Sequence, residues 1–270
     1  MNGVYVHIPF CRQSCFYCGF HFSVSLGDVE SVVECLCREI RVRKHYLNDE
    51  QINTIYFGGG TPSIIETRQI YKILQTIRDN LIVSDNVEIT LEANPNDLVK
   101  QKIQELHDIG INRLSIGIQT FNPKLLKLLN RCDDIKHIYS CLNDVYPIFK
   151  NYNIDIIYAI PGQTHNDIIY DLEQVIKFKP THISAYSLTI EPQTIFEIWN
   201  KKGILKPKED NFASDAFLFI DDFLNQNGYK HYEISNYCLE GFESVHNSNY
   251  WNIENKYLGI GPSAHSYNGE

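Results

Sequence analysis

The sequence lacks any apolar run that approaches the roughly 20 residues needed to cross a bilayer. Positive charge is also scarce, since 24 Lys and Arg residues face 33 Asp and Glu residues and give a formal net charge of -9. This balance argues against a general nucleic-acid-binding face and against strong attraction to an anionic membrane. The N-terminal residues contain no basic segment, long apolar segment or cleavage site typical of a signal peptide. We therefore expect a cytoplasmic protein with at most peripheral membrane contact.

Eight cysteines are present, but a cytoplasmic chain of 270 residues does not use them as a disulfide framework. In such a chain, clustered cysteines indicate metal binding or catalysis. Five of the cysteines lie outside any cluster of metal-ligand spacing, and we interpret them as thiols that pack in the interior. These five are Cys35, Cys37, Cys132, Cys141 and Cys238.

The other three cysteines, Cys11, Cys15 and Cys18, form a C-x3-C-x2-C cluster in the segment YVHIPFCRQSCFYCGF. Three thiolates on one loop can hold three irons of a [4Fe–4S] cube and leave the fourth iron open to a small molecule. The alternative is a zinc site, which usually closes its shell with four ligands. His21, three residues after Cys18, is the fourth ligand available to zinc.

Short β-rich runs alternate with amphipathic helical stretches, which predicts an α/β fold with a parallel sheet. The predicted helices lie near 28–46, 66–79, 97–109, 123–129, 135–150 and 166–178. An open doubly wound sheet and a closed or partial barrel both fit six serial βα units. The predicted strands are Val4–Ile8, Thr54–Phe57, Val87–Leu91, Arg113–Ile118, Ile154–Tyr158 and His182–Ser187.

Polar residues recur at or just beyond the predicted carboxyl ends of successive strands. In a barrel these ends meet around one mouth, where active sites lie. We therefore favour a partial (β/α)6, TIM-like barrel. The strand-end residues are Gly58, Gly59, Gly60, Thr61, Glu92, Gln119, Asp155 and Tyr186.

The pattern changes after residue 205, where a helix closed by Asn227-Gly228 precedes a segment rich in aromatics, Asn and Gly. We interpret residues 1–205 as the core barrel. Residues 206–270 are expected to be the start of a small C-terminal α+β region of short strands and loops, which we expect to be incomplete.

Several of the polar residues allow two interpretations. Glu92 suits either a solvated strand end or a ligand contact, and Arg131 suits either a surface charge or a bidentate partner for a carboxylate. Asp155 is flanked by Ile on both sides, so its carboxylate requires a partner or a ligand. His246 lies beside Tyr and Trp, as in an aromatic cluster or as an axial haem ligand. His265 is a second candidate for that role.

The cysteine spacing, with Tyr17 before the last cysteine, resembles the radical S-adenosylmethionine (SAM) superfamily. The motifs that narrow the resemblance are YVHIPFC, FGGGTPS, LEANP, GIQTF, IYAIPGQT, YEISNY and HNSNYW. Together they resemble the oxygen-independent coproporphyrinogen III oxidase family, and within it the haem chaperone (HemW) branch. The resemblance covers essentially the whole chain.

The resemblance implies a radical SAM partial barrel with a [4Fe–4S] cluster on Cys11, Cys15 and Cys18. In the superfamily, an electron from the cluster cleaves SAM to methionine and a 5′-deoxyadenosyl radical, chemistry that belongs to the cofactor. The resemblance also implies a set of SAM contacts. These are Tyr5, Tyr17, Gly59, Gly60, Thr61, Glu92, Gln119, Arg131 and Asp155.

Three features favour the chaperone branch over the oxidases. Phe20 stands where the oxidases carry a further cysteine, the segment before Cys11 is short, and HNSNYW resembles the haem-binding motif of the chaperones, with His246 as the implied ligand. Asp133 departs from the family pattern, in which we expect His. The implied function is delivery of haem to respiratory haem proteins, with homodimerisation as a further expectation. The alternative is radical-driven oxidation of coproporphyrinogen III, and a structural zinc protein is a distant third.

Overall fold

The computed structural model describes residues 1–131 and 134–270, so Cys132 and Asp133 and the expectations attached to them lie outside the described residues. The chain forms two compact units. The first unit comprises residues 1–12, 20–114 and 244–270, and the second comprises residues 13–19 and 115–243. Within the described ranges, no helix combines the length and apolarity required to cross a membrane.

The first unit is built on a four-stranded parallel sheet in the order β9-β1-β2-β3. Two short 3-10 helices, Pro62–Ile64 and Pro95–Asp97, follow β2 and β3. Its strands are β1 (Asn2–Ile8), β2 (Ile52–Gly59), β3 (Val83–Ala93) and β9 (Lys256–Ile260). Its helices are α1 (Val29–Val42), α2 (Thr67–Asn80), α3 (Lys100–Asp108) and α9 (Val245–Asn249).

The second unit contains β5 and β6 as a parallel pair, with β4 beside β5. Antiparallel β8 and β7 extend the sheet beyond β6. Its strands are β4 (Arg113–Gln119, from Ser115 in this unit), β5 (Asn151–Tyr158), β6 (His182–Ser187), β7 (Lys230–Glu233) and β8 (Asn236–Cys238). Its helices are α4 (Pro123–Leu128), α5 (Ile135–Val145), α6 (His165–Lys177), α7 (Ile195–Lys201) and α8 (Asp210–Gln226).

Local sequence signals account for where these elements begin. Helix α2 starts with a reciprocal capping box between Glu66 and Gln69, and α6 starts with one between Thr164 and Asp167. The parallel strands read as near-continuous apolar runs because helices cover them, and β1 and β2 are buried along almost their whole length.

All six predicted strands lie within observed strands, so the α/β prediction with parallel strands is confirmed. The predicted helix before Asn227 is confirmed as α8. The last segment was expected to hold only short strands and loops, but residues 245–249 form α9. Ser244 starts this helix by accepting a hydrogen bond from the amide of Asn247. The predicted division at residue 205 stays a prediction.

Two further expectations were wrong. Cys35 is exposed, whereas Cys37, Cys141 and Cys238 are buried as expected. The reason is helical geometry, because two residues correspond to about 200° around α1 and place Cys35 away from the core that Cys37 enters. Asp155 lies in the interior of β5 and not at a strand end. Its apolar neighbours continue the strand for three more residues.

Candidate functional site

Cys11 lies just beyond β1 in the first unit. Its amide donates to the carbonyl of Ser23 at 3.0 Å. The segment that follows Cys18 therefore returns to contact Cys11, the first residue of the cysteine cluster. The hydroxyl of Thr61 donates to Cys11 Sγ at 3.5 Å. The thiol therefore lies against the glycine-rich loop that follows β2, as the sequence predicted for two adjacent strand ends.

That loop is fastened to β1 by its backbone. The amide of Gly60 donates to the carbonyl of Ile8 at 2.9 Å, and the amide of Thr61 donates to the carbonyl of Phe10 at 2.7 Å. A Cβ at Gly60 would lie 2.6 Å from the Phe10 carbonyl oxygen. Only glycine allows so close an approach between two backbones. The glycine run therefore has a structural reason in addition to its predicted role beside a ligand.

Glu92, the penultimate residue of β3, holds the same loop. Its carboxylate accepts from the amide of Gly59 at 3.1 Å and from the hydroxyl of Tyr56 at 2.8 Å. Gly59 has φ +106°, and a Cβ there would lie 2.5 Å from the ring of His7. The carboxylate thus fixes the backbone N–H groups of a left-handed turn at the carboxyl edge of a parallel sheet, where ligands of α/β proteins bind.

Arg12 and Asp97 form a support that sequence reasoning missed. The guanidinium of Arg12 contacts Asp97 Oδ1 at 2.7 Å, and the Asp97 side chain is 1% exposed. The hydroxyl of Ser63 donates to the other carboxylate oxygen at 2.8 Å. The residue next to Cys11 is therefore tied to the loops after β2 and β3. An ion pair between residues 85 positions apart leaves no periodic signal in the sequence.

Tyr5 packs among aromatic rings at the same end of the first unit. Its ring stacks on Tyr56 at 6.0 Å, and its hydroxyl lies 3.4 Å from His7 Nδ1. Burial raises the pKa of Tyr5, and the negative charge of Glu92 raises it further. Tyr5 therefore stays a neutral phenol that can donate or accept a hydrogen bond.

His246 lies on α9 and is 2% exposed. Its Nδ1 pairs with the hydroxyl of Thr54 at 2.8 Å, and its Nε2 pairs with the hydroxyl of Tyr250 at 3.0 Å. Burial, and secondarily the positive charge of Arg113, lower the pKa of His246 to about 3. The imidazole is thus neutral, and its two ring nitrogens are both engaged by hydroxyl groups. Its backbone amide donates to Glu88 Oε1 at 3.1 Å, which fixes the start of α9.

Cys15 and Cys18 lie in the second unit, joined by a tight turn in which the amide of Cys18 donates to the carbonyl of Cys15 at 3.2 Å. Tyr17 lies between them and hydrogen-bonds Cys15. Burial raises the pKa of Tyr17, while the guanidinium of Arg131 lowers it. Arg131 donates to the carbonyl of Gly117 in β4 at 2.5 Å. The structure therefore brings Tyr17 and Arg131 together with two of the predicted cluster ligands.

The cysteine segment is docked firmly onto the second unit. The amide of Phe16 donates to the carbonyl of Leu129, and the carbonyl of Phe16 accepts from the amide of Phe196. The Phe16 ring meets Trp199 edge-on at 5.0 Å. Phe16 and Tyr17 pack against a buried apolar cluster that includes Leu129 and Phe196. The loop that carries Cys15 and Cys18 is thus fixed by packing as well as by backbone hydrogen bonds.

Gln119, the last residue of β4, has φ +70°, and the amide of Thr120 donates to the carbonyl of Ile118 at 2.9 Å. This is a γ-turn of the rare, strained form. Asp171 of α6 supports it, because its Oδ1 accepts from the amide of Phe121 at 2.6 Å. Burial raises the pKa of Asp171 to about 7. Strain of this kind concentrates at functional sites.

Asp155 has the partners that its apolar neighbours in the sequence require. The hydroxyl of Ser115 donates to its Oδ2 at 3.3 Å, and the side-chain amide Nδ2 of Asn153 donates to its Oδ1 at 2.6 Å. His182 Nδ1 donates to Asn153 Oδ1 at 2.7 Å, which leaves His182 Nε2 to accept from the hydroxyl of Tyr232 at 2.8 Å. A directed chain of hydrogen bonds therefore ends on the carboxylate of Asp155.

The predicted site residues thus fall into two groups, each assembled within its own unit. The first unit holds Tyr5, Cys11, Gly59, Gly60, Thr61, Glu92 and His246, and the second holds Cys15, Tyr17, Cys18, Gln119, Arg131 and Asp155. His21 and His265 are exposed. In the described ranges, no three His, Cys, Asp or Glu side chains surround a single metal position. An iron–sulfur cube has no such requirement, since each thiolate binds a different iron.

The residues present fit the cofactors that the cysteine spacing implies. The three thiols are partly exposed, and none is consumed in a disulfide. The loop beside Cys11 presents glycine backbone that no larger residue could replace. In the first unit the Glu92 carboxylate holds the Gly59 amide of the glycine loop. In the second unit the Tyr17 phenol and the Arg131 guanidinium lie near Cys15 and Cys18, and such groups suit a charged, polar ligand.

Known proteins resemble this chain in sequence and in fold. The profile of the Radical SAM superfamily matches residues 5–175. The heme chaperone HemW of Lactococcus lactis subsp. lactis is 40% identical over 269 residues, which cover 98% of this chain and 69% of that protein. The heme chaperone HemW of Escherichia coli K12 is 33% identical and is likewise covered over 69% of its length.

Among solved structures, the Escherichia coli coproporphyrinogen III oxidase HemN, a radical SAM enzyme, superposes with a TM-score of 0.86 at 26% identity. The superposition covers 99% of this chain and 65% of the HemN chain. The predicted fold class, an α/β radical SAM fold, is therefore confirmed, as is the resemblance seen in the motifs. The chain belongs to the radical SAM superfamily and, within it, to the heme chaperone HemW family.

Proposed function

We propose that this chain is a haem chaperone: it binds haem and passes it to respiratory haem proteins while carrying SAM and a [4Fe–4S] cluster. The observation that carries the proposal is the 40% identity with the heme chaperone HemW of Lactococcus lactis over 98% of the chain. The exposed aromatic end of the HNSNYW motif supports it, because Tyr250 and Trp251 are 47% and 67% exposed. A flat apolar macrocycle binds well to such rings.

In this proposal Cys11, Cys15 and Cys18 hold the cluster. Thr61 donates to Cys11, Tyr17 hydrogen-bonds Cys15, and hydrogen bonds to sulfur are one means by which a protein tunes a cluster. When bound, the cluster and SAM supply one-electron chemistry that yields a 5′-deoxyadenosyl radical. The packing of Phe16 and Tyr17 against the buried apolar cluster holds the segment that carries Cys15 and Cys18 in place.

The other strand-end residues are proposed to bind and orient SAM. In the first unit, Glu92 holds the Gly59 amide in place, and Tyr5 offers a neutral phenol. In the second, Arg131 offers a charged donor for a carboxylate, and Asp155 offers a carboxylate already held by two donors. Gln119 is presented by its strained turn.

The partners follow from the proposed function. They are haem itself and the haem proteins that accept it, and homodimerisation in the cytoplasm remains part of the proposal. The formal net charge of -9 gives no support to nucleic-acid binding.

The second candidate is oxygen-independent coproporphyrinogen III oxidase activity, the oxidative decarboxylation of two propionates. The TM-score of 0.86 with HemN favours it. Against it, Phe20 replaces the further cysteine expected of the oxidases and is 74% exposed, so no thiol stands at that position.

One reconstituted sample tests both candidates. After anaerobic reconstitution, iron and sulfide are measured in the wild type, in Cys15→Ala and in the control Cys35→Ala, whose cysteine is exposed on α1. We expect about four irons and four sulfides per chain in the wild type and the control, and a large loss in Cys15→Ala. Equal iron and sulfide in all three proteins would exclude the cysteine cluster as the ligand set.

The same sample is then titrated with haemin and assayed for conversion of coproporphyrinogen III. Saturable haemin binding without porphyrin product supports the chaperone. Protoporphyrinogen IX formation without haemin binding supports the oxidase instead.

A further inference from the structure

A polar network lies inside the second unit, on one face of the paired strands β5 and β6. Asn153 pairs with His182 across the two strands, and Asp155 pairs with Ser184 in the same register. Alternate residues of a strand point to the same face, so these four side chains share it. Asn153, His182 and Ser184 are at most 2% exposed. Apolar side chains would hold the sheet together here without burying polar groups, so stability alone does not account for the network.

The hydrogen bonds of the network have fixed directions. The carboxylate of Asp155 only accepts, so the side-chain nitrogen of Asn153, 2.6 Å from Oδ1, is the donor. The side-chain oxygen of Asn153 therefore faces Nδ1 of His182 at 2.7 Å, and that nitrogen carries the proton. Nε2 of the neutral imidazole then accepts from the hydroxyl of Tyr232 at 2.8 Å. The orientation of the amide and the tautomer of the imidazole are thus both tied to the carboxylate of Asp155.

Tyr232 opens the YEISNY motif, which has no part in the proposed cluster and SAM contacts. It lies in β7, which pairs with β8, and β8 pairs with β6. The amide of Ala185 in β6 also donates to the carbonyl of Ser235 at 2.8 Å, which fixes the turn between β7 and β8. The Tyr232 ring meets the ring of His182 edge-on at 5.6 Å. The motif therefore places a phenol against a histidine that lies 50 positions away in the sequence.

Access to the shared face increases toward the carboxyl end of the strands. In β6, His182 is 0% exposed, Ser184 is 2% exposed and Tyr186 is 40% exposed. In β5, Asp155 is partly exposed, whereas Asn153, two residues earlier, is buried. Ligands of α/β proteins bind at the carboxyl edge of the sheet. Asp155 is therefore the network residue of β5 and β6 that a ligand arriving at this edge can reach.

We propose that Asn153, His182 and Tyr232 are positioning residues for SAM and that they act through Asp155. The proposal rests on the SAM contact assigned to Asp155 in the proposed function. Asn153 holds one carboxylate oxygen, so the carboxylate keeps the orientation in which it accepts from a hydroxyl or ammonium group of the ligand. His182 keeps the Asn153 amide from turning over, since a reversed amide would direct its oxygen at the carboxylate. Tyr232 stabilises the tautomer of His182 that this requires.

Calorimetric SAM titrations of the full, cluster-loaded chain test the role of Tyr232. Tyr232→Phe should lose about three- to ten-fold in SAM affinity, as expected for coupling within one hydrogen-bond network. Tyr229→Phe is the matched control, because the Tyr229 hydroxyl donates to the carbonyl of Pro180 at 2.6 Å, outside the network. The control should bind SAM as the wild type does. Equal SAM affinity in the two variants would mean that the Tyr232 hydroxyl has only a structural role.

Two substitutions of His182 separate the hydrogen bond from packing. His182→Asn keeps an N–H donor for Asn153 but loses the contact with Tyr232, so its SAM affinity should match that of Tyr232→Phe. His182→Leu removes the donor and should lose about ten-fold or more. Equal losses in the asparagine and leucine variants would show that packing, and not the hydrogen bond, is what His182 contributes.

A double-mutant cycle shows whether Tyr232 acts through Asp155. Asp155→Asn should weaken SAM binding, and adding Tyr232→Phe to it should cost little more. Fully additive losses, or unchanged SAM affinity in Asp155→Asn, would overturn the proposal. A wild-type chain that carries its cluster but binds no SAM would instead reject the SAM contacts of the proposed function, and with them this assignment.

A further measurement does not depend on the folding of any variant. Nitrogen-15 NMR of the histidine-labelled wild-type chain should show His182 with a proton on Nδ1 and a bare Nε2, because the hydrogen bond at one ring nitrogen sets the state of the other. A proton on Nε2 would contradict the directed hydrogen bonds on which the proposal depends.

Discussion

At the scale of the residue, the proposed SAM site depends on side chains that hold backbone groups. Glu92 is the clearest case, because one carboxylate accepts from the amide of Gly59 and from the hydroxyl of Tyr56. Bonds to a charged acceptor are stronger than neutral ones, so the carboxylate fixes this turn in a way that a neutral amide cannot.

Replacing Glu92 by Gln should therefore weaken SAM binding without removing the cluster. We expect a loss of about ten-fold or more in SAM affinity, equivalent to about 1.4 kcal/mol, because a charge-assisted bond is lost and the amide also presents a donor to the Gly59 N–H. Calorimetric titration of the reconstituted chain with SAM measures it. Glu240→Gln, at an exposed position, is the control. Unchanged SAM affinity in both variants would show that Glu92 does not contribute to the SAM site.

Asp171 supplies a pH-dependent prediction. Burial raises its pKa to about 7 in the folded chain, above the ordinary value of 3.8. The folded state then binds more protons than the unfolded state between these values, so the free energy of unfolding falls as pH rises from about 4 to 7. Asp171→Asn has no titrating carboxyl group at this position but retains an oxygen acceptor for the Phe121 amide.

The wild type should lose on the order of 2 kcal/mol of stability relative to Asp171→Asn between pH 5 and pH 8. Urea unfolding of both proteins at several pH values measures the difference. Parallel pH curves would mean that Asp171 is ionised throughout this range in the folded chain.

At the scale of the element, the loop after β2 contacts several parts of the proposed site. It joins β1 through Gly60 and Thr61, contacts Cys11 through the Thr61 hydroxyl and meets β3 through Glu92. A change in its backbone therefore reaches the cluster ligand and the proposed SAM contacts together.

Gly60→Ala should both destabilise the first unit and reduce cluster loading. Its Cβ would lie 2.6 Å from the Phe10 carbonyl oxygen and 2.9 Å from that of Ile8, and backbone atoms cannot move aside as a flexible side chain can. We expect a loss of about 1–3 kcal/mol in unfolding free energy. Gly27→Ala is the matched control, since no atom lies within 4 Å of its Cβ position. Equal stability and equal iron content in the two variants would contradict this account of the loop.

The sequence predicted the elements that local patterns encode and missed those that depend on distant partners. Apolar runs located β1 to β6, and the end of α8 followed from Asn227-Gly228. The pairing of β9 with β1 joins residues about 250 positions apart, and neither strand's periodicity specifies its partner. The same applies to the Arg12–Asp97 pair and to the bond between Thr54 and His246.

Candidate residues were found by type and position, whereas their accessibility could not be predicted. A histidine in an aromatic segment suits either burial or ligation, and the neighbours that bury His246 come from β1 and β2. Asp155 was expected at a strand end with the other polar residues, but it lies within β5. The burial of His246 and the position of Asp155 both depend on which strands and helices pack together in the folded chain.

At the scale of the whole molecule, the chain combines the radical SAM fold with the HNSNYW motif of α9. Cys11 lies in the first compact unit, and Cys15 and Cys18 lie in the second. The chain spans 69% of the heme chaperone HemW of Lactococcus lactis, and the activity of the whole protein is the subject of the proposal above.

The most direct test of the central claim is a haemin titration of the anaerobically reconstituted chain, followed by absorption. The account predicts saturable binding of about one haemin per chain, with a spectrum that depends on an axial protein ligand. A chain that carries its cluster, binds no haemin and converts coproporphyrinogen III to protoporphyrinogen IX would contradict the account.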